Sequence, residues 1–234
     1  MQNYPIRLTS VSKVYDSELV ETHALSDINL EICGGDYISI SGPSGCGKST
    51  LLSILGLLDQ PTSGQYFIDN VDVASLNFNE SAKIRNEKIG FVFQSFNLID
   101  ELSVFDNVAL PLRYSAKSMS KNEIEKRVMA SLEMVDMSHR QAHFPNQLSG
   151  GQQQRIAIAR AIVHQPTILL VDEPTGNLDS KSGDMVMALL SELNRKGVTI
   201  CMVTHDARYA DAAAIKLKLQ DGVMIREVEL DKAV

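Results

Sequence analysis

Lys48 and Ser49 lie near the end of the run Gly42, Pro43, Ser44, Gly45, Cys46, Gly47, Lys48, Ser49, Thr50, which meets the phosphate-loop pattern G-x-x-x-x-G-K-[ST] at every fixed position. Glycines let the backbone curl so that successive N–H groups converge on phosphate oxygens, and a helix starting there adds the positive end of its dipole. A lysine at that place pairs with the β- and γ-phosphates of ATP. The serine hydroxyl suits Mg²⁺, an ion that keeps most of its water and takes one or two protein oxygens. Further along, Asp172 and Glu173 follow the apolar residues Ile168, Leu169, Leu170 and Val171. Carboxylates at the end of a central parallel strand stand where open α/β sheets bind ligands. Asp172 is the candidate to hold Mg²⁺ through a water, and Glu173 the candidate base that orients an attacking water. Alone, two acids after an apolar run also read as the start of a surface turn; the phosphate loop upstream favours hydrolysis of a phosphoanhydride.

A second string, Leu148, Ser149, Gly150, Gly151 and Gln152, precedes an apolar helix predicted over residues 152–163. Small residues at a helix N-terminus let a phosphate approach the free N–H groups, so the chain carries two candidate anion-binding helix ends. Taken by itself the Ser-Gly-Gly run is equally a flexible hinge. Three further polar residues close apolar or alternating runs: Tyr15 after residues 6–14, Gln94 after residues 89–93, and His205 after residues 198–203. Each also has an ordinary structural reading, as an exposed strand residue, a strand-ending amide and a hydrogen-bonded histidine.

The elements that must position these groups follow from periodicity. Strands are predicted over residues 6–15, 23–32, 36–41, 65–68, 89–93, 168–171 and 198–203, with a helix over 48–58 directly behind the phosphate loop. Residues 59–64 form a turn by their Pro, Ser and Gly content, and Asp69-Asn70 a tight reversal. From about 95 to 147 the pattern is helical, with a capping box at residues 120–123 that opens a helix carrying Ile124, Val128, Leu132 and Val135; residues 116–120 read as a loose loop. A helix over 180–195 stops at Gly197, and residues 214–220 and 223–228 form a hairpin around Asp221-Gly222. The fold class is α/β: a phosphate-loop, RecA-like parallel-sheet core formed by residues 1–94 and 151–234, with an N-terminal antiparallel β subdomain and an inserted helical subdomain over 95–150.

With 234 residues and 44% hydrophobic content the chain can bury a large core. A net charge of −7 supplies no general basic surface for nucleic acid, and no nucleic-acid partner is expected. No apolar run approaches the twenty or so residues that span a bilayer. Cys33, Cys46 and Cys201 show no metal-ligand or disulfide spacing and read as reduced thiols of the cytoplasm; Cys33 and Cys201 read as core or strand residues, and Cys46, inside the phosphate loop, as a place where an oxidant that reached it would block ATP.

Taken in order, these strings resemble the nucleotide-binding subunits of ATP-binding cassette (ABC) transporters over nearly the whole chain. The resemblance implies that Tyr15 stacks on adenine and that Gln94 is the glutamine-loop residue, contacting Mg²⁺ or the attacking water. It makes Asp179 the aspartate of the segment after the acidic pair and His205 the switch histidine. It also implies a homodimer with ATP sandwiched between copies, so that Ser149, Gly150, Gly151 and Gln152 of one copy reach the γ-phosphate held by Lys48 of the other. An integral membrane permease subunit is then the partner, holding the cassette on the inner face of the cell membrane, with the segment over 95–112, notably Phe96, Leu98, Ile99 and Leu102, as an exposed docking surface. Residues 59–64, 107–112 and 176–180 look like the bacterial group of lipoprotein-releasing and macrolide-export ATPases with its cell-division relative. Export or lipoprotein release is the expected function; the alternative is regulatory mechanotransmission through a membrane partner. A soluble translation or repair ATPase is disfavoured by the single cassette without heptads, and a small-molecule kinase by the signature string, which it does not need.

Overall fold

A computed structural model describes residues 4–17, 20–116 and 118–226. Two sheets form its framework. The first is antiparallel, in the order β2 (Val20–Ile32), β1 (Ile6–Ser17), β4 (Ser63–Ile68), β5 (Val71–Asp72). The second runs β10 (Val223–Arg226), β9 (Ile215–Gln220), β3 (Tyr37–Ser41), β8 (Ile200–Val203), β7 (Ile168–Asp172), β6 (Ile89–Val92), all parallel apart from the edge strand β10. Both hairpin strands are thus as expected up to Arg226; residues 227 and 228 lie outside the described residues, as does Lys117 of the anticipated loop.

A parallel sheet covered on both faces reads as uninterrupted apolar runs, and alternation then assigns each residue to one face. On β7, Leu169 and Val171 join one buried cluster while Ile168 and Leu170 join another; on β8, Ile200 and Met202 oppose Cys201 and Val203 in the same way. The second cluster also takes the inner face of the antiparallel sheet and α1 (Lys48–Leu55). The first takes α3 (Val104–Arg113), α4 (Lys121–Met134), α5 (Gly150–Ile162) and α6 (Ser180–Arg195). The helices of the 95–150 segment therefore share one core with the sheet. Helix α4 begins at the anticipated cap, Ser120, whose side chain accepts from the N–H of Glu123.

Two short helices went unread in the sequence. Helix α2 (Phe78–Lys88) buries only Ser81 and so offers no apolar stripe, although Asn77 and Glu80 form a complete capping box that marks its start. Helix α7 (Ala207–Ala210) is a single turn.

Candidate active site

The strand order decides which loops meet. Strand β8 lies between β3 and β7, so three carboxyl ends are adjacent: that of β3, leading into the phosphate loop, that of β7, carrying Asp172 and Glu173, and that of β8, leading to His205. A cavity of about 590 Å³ opens there, lined by Ser44, Gly45, Gly47, Lys48, Ser49, Thr50, Glu173 and His205 on this side. Its other wall is Thr22, His23, Ala24, Asp221 and Gly222, none of which was read from the sequence as a site residue. The turn dipeptide Asp221-Gly222 was legible as a turn; only the register of the hairpin shows that it faces the phosphate loop.

The loop has the backbone that a phosphate cradle needs. Gly42, Gly45 and Gly47 have φ values of 155, 79 and 103°, and the latter two are left-handed conformations that only glycine adopts freely. A Cβ on Gly47 would run into the Ala24 carbonyl, while beside Gly45 nothing lies within 4 Å. Gly47 is the N-cap of α1 and supplies no side-chain cap, so the first-turn N–H groups face the cavity without a partner from their own helix. The Lys48 ammonium donates to the carbonyls of Gly42 and Pro43 at 2.9 and 2.7 Å. The Cys46 carbonyl accepts from the N–H of Gly222 at 3.1 Å, and the Gly222 carbonyl from that of Ser26 at 2.8 Å; the loop is thereby braced to the hairpin and to β2. The Cys46 thiol itself is 4% exposed and packed in the β-side core, so an oxidant reaches it only if the loop opens.

Glu173 is held by two groups: its Oε1 lies 2.8 Å from His205 Nδ1 and its Oε2 accepts from the His205 N–H at 3.3 Å. Its backbone is left-handed, with φ 44°, a strained state for a residue with a Cβ and one that clusters at active sites. Burial and the neighbouring Glu173 raise the pKa of the Asp172 carboxyl, partly offset by Lys48. Among the described residues no cluster of three or more His, Cys, Asp or Glu is placed to hold a metal ion. Ser49 lines the cavity, and Asp172 ends β7 at the same edge of the sheet.

Other expected residues stand outside the cavity. Tyr15 pairs across the sheet with Thr22; its hydroxyl donates to Asp59 Oδ2 at 3.0 Å and Lys13 Nζ sits 4.9 Å from its ring centroid. The Gln94 amide donates to Asn177 Oδ1 at 3.3 Å, and Asn177 returns a bond to the Gln94 carbonyl at 3.1 Å. Asp179 caps α6, accepting from the Ser182 N–H and hydroxyl at 3.0 and 2.7 Å. Ser149 caps α5: its hydroxyl accepts from the Gln152 N–H at 3.4 Å while Gln152 Oε1 accepts from the Ser149 N–H at 3.0 Å. Gly150 and Gly151 continue that turn, Gly151 buried against Ser182. None of residues 149–152 lines the cavity that holds Lys48.

A phosphate loop at the end of β3, an acidic pair at the end of β7 and, from β8 between them, a histidine gripping the second acid define a phosphate-loop NTPase. The family model described as ABC transporter matches residues 25–176. An uncharacterized ABC transporter ATP-binding protein of Methanocaldococcus jannaschii, MJ0796, is 49% identical over 96% of this chain and 97% of its own length. The macrolide export ATP-binding/permease protein MacB of Chlorobaculum tepidum is 44% identical over 94% of this chain, which spans 33% of that longer protein. A solved dimeric, post-hydrolysis structure of the MJ0796 cassette bound to ADP and Pi superposes with a TM-score of 0.84 at 45% identity, covering 94% of this chain and 98% of that one. The chain belongs to the ABC transporter ATP-binding family and is an ATP-hydrolysing cassette.

Proposed function

We propose that two copies of this cassette close on two ATP molecules, head to tail, and that the resulting open-and-shut cycle drives a membrane-embedded export or lipoprotein-release partner from the cytoplasmic face. The observation that supports it most directly is that Ser149, Gly150, Gly151 and Gln152 form a helix N-terminus outside the cavity of their own chain, with Ser149 exposed and Gly150 and Gln152 half-buried; MJ0796, which shares this architecture, is dimeric in its ADP- and Pi-bound structure. Lys48 leaves the Gly42 and Pro43 carbonyls for the β- and γ-phosphates, the phosphate-loop N–H groups and the α1 dipole hold the remaining charge, and Tyr15 stacks on the base. Ser49, Asp172 and Gln94 are the residues that would hold Mg²⁺, which would neutralise phosphate charge when bound with ATP. Glu173 orients the attacking water, His205 holds Glu173 and the γ-phosphate side of the site, and Asp179 lines the seam between copies. Loss of the shared γ-phosphate contacts opens the pair. Relatives named for macrolide export favour this reading over regulatory mechanotransmission.

Among the described residues no helix is long and apolar enough to cross a membrane, so the work must reach the membrane through a docking surface. The loop residues named from sequence serve poorly: Ile99 is exposed, whereas Phe96, Leu98 and Leu102 are half-buried and Leu98 packs on the helical core. A groove of about 790 Å³ beside them is the better seat, walled by Leu58, Phe91, Phe93, Leu110, Pro111 and Tyr114, with the Phe91 and Phe93 rings stacked at 4.7 Å. A cytoplasmic segment of the membrane subunit fills it in this reading.

Replacing Glu173 by Gln and adding Mg-ATP tests the cycle. Hydrolysis is expected to fall on the order of a hundredfold or more while light scattering shows an ATP-dependent dimer. A variant that hydrolyses at the parental rate removes Glu173 as the base, and one that binds ATP but stays monomeric removes the sandwich.

A further inference from the structure

The glutamine loop is gripped from behind by the helix that carries the signature residues. Helix α5 starts at the Ser149 cap and, three turns later, presents Arg160, whose Nη2 donates to the Phe96 carbonyl at 2.8 Å and whose Nη1 donates to the Asn97 carbonyl. One turn beyond the cap, the buried Gln154 donates to the Pro174 carbonyl at 3.0 Å and reaches the Phe93 carbonyl at 3.5 Å. Gln94 therefore sits between two anchored stretches, with its own carbonyl held by Asn177.

The stretch that Arg160 holds is not one the backbone adopts unaided. Phe96 and Asn97 are consecutive left-handed residues, φ 60 and 51°, which costs free energy for any residue with a Cβ. Such a pair persists only when its surroundings over-determine it. A planar guanidinium that meets two successive carbonyls does so, because its donors have fixed relative directions that an ammonium lacks. Arg160 has no acidic partner among the contacts described for it; its cation is used on carbonyls alone, and burial lowers its pKa. Arg160 and Asn97 also line the apolar groove, so the clamp is shared between the glutamine loop and the surface where a partner would sit.

We propose that Arg160 is a positioning residue for Gln94: its guanidinium fixes the left-handed Phe96-Asn97 turn, and through it ties the placement of Gln94 to the placement of the signature helix. The inference rests on the reading of Gln94 as a group that acts on the reacting phosphate. A shift of α5 that carries Arg160 moves the far end of the glutamine loop with it, whereas the phosphate loop, braced to the hairpin and β2, stays in place.

The test is a double-mutant cycle on steady-state ATP hydrolysis by the full chain, using Arg160→Met, Gln94→Ala and the pair, with thermal melts as the check on folding. Arg160→Met is expected to lower kcat on the order of tenfold with KM for Mg-ATP within about twofold, and Arg160→Lys, which keeps the charge but not the fork, to recover only part of it. In the Gln94→Ala background Arg160→Met is expected to have no further effect, the non-additivity of two residues acting through one group. Additive losses, or full recovery by Lys, overturn the proposal, as does a Gln94→Ala loss that Arg160→Met does not share. If Gln94→Ala itself leaves kcat unchanged, the reading of Gln94 has failed and not the clamp, and hydrogen exchange then decides the clamp: faster exchange confined to residues 93–99 in Arg160→Met supports it, unchanged exchange removes it. Should Arg160→Met not fold, the same cycle is run with Arg160→Lys.

Discussion

Two helix N-termini of this molecule are candidates for phosphate contact, and they are built in opposite ways. Helix α1 begins at Gly47, whose left-handed backbone offers no side-chain cap, and Lys48, Ser49 and Thr50 of its first turn all line the cavity. Helix α5 begins at Ser149 in a reciprocal capping box with Gln152, which satisfies two of its donors from within and leaves Gly150 and Gly151 outside the box. An end that lacks its own cap depends on a ligand to satisfy its N–H groups. An end that caps itself keeps its shape alone, as a surface presented to a second copy must. In the proposed sandwich the contrast separates the half-site that binds ATP from the half-site that recognises bound ATP.

Adding one methyl group at each end breaks the comparison most sharply. Gly47→Ala forces a Cβ into left-handed backbone at φ 103° and against the Ala24 carbonyl; a loss of about 3 kcal/mol of stability is expected, with nucleotide binding lost. Gly151→Ala is helical, but the added Cβ would lie 2.9 Å from Ser182 Cβ and 3.0 Å from its Oγ; because Ser182 Cβ is fixed to the α6 backbone, α5 and α6 must part, and the better helix propensity of Ala offsets only part of that crowding, leaving a loss of about 1–2 kcal/mol. ATP-dependent dimerisation should weaken in Gly151→Ala while fluorescence-detected ATP binding by the monomer holds. Equal stability losses in urea titrations of the two variants would remove the distinction.

Ser149→Ala acts more gently, because it deletes a cap without adding an atom. The loss of its bond to the Gln152 N–H should lower stability by about 1 kcal/mol, read as a small fall in the melting temperature of the nucleotide-free protein. Monomer affinity for ATP should not change, since Ser149 stands outside the cavity of its own chain, and the ATP-dependent dimer should weaken beyond what the melt predicts. A matching fall in monomer affinity would place Ser149 at its own phosphate loop.

The same contrast explains how much of the site was legible. The phosphate loop and the acidic pair are local: the glycines, Lys48 and the apolar run before Asp172 declare backbone shape and strand burial within a few residues. So is the Ser149–Gln152 box. The far wall of the cavity is not, because His23 and Asp221 are ordinary strand and turn residues until β9 pairs beside β3 and brings the hairpin to Cys46. Arg160 was hidden for a related reason, its acceptors being backbone carbonyls more than sixty positions away in sequence. Strand β1 ran two residues longer than its alternation implied and carries three register shifts against β2, so periodicity understated it. Helix α2 was missed because α2 packs with so little apolar surface, although its capping box was there to be read.

The smallest effect concerns charge in the ATP-binding half and has its sign fixed by Asp172. Burial and the adjacent Glu173 raise the pKa of that carboxyl in the folded chain, so the native state holds the proton more tightly than the unfolded one. Its contribution to stability is therefore present in full below the unfolded carboxylate range and is lost as pH rises through the raised native value. Asp172→Asn removes the desolvated charge, so the nucleotide-free variant should gain stability over the parent at neutral pH, and the gain should shrink towards zero as the pH falls through the carboxylate range in urea titrations. Hydrolysis should fall in the same variant, since the carboxylate that costs stability is the one assigned to the metal. No such gain is expected at the α5 end, where the capping box is made of neutral groups and its stability contribution does not titrate with Asp172. A variant no more stable than the parent at neutral pH would show that the Lys48 ammonium already compensates Asp172, and that the phosphate-loop half, like the signature half, is at rest without its ligand.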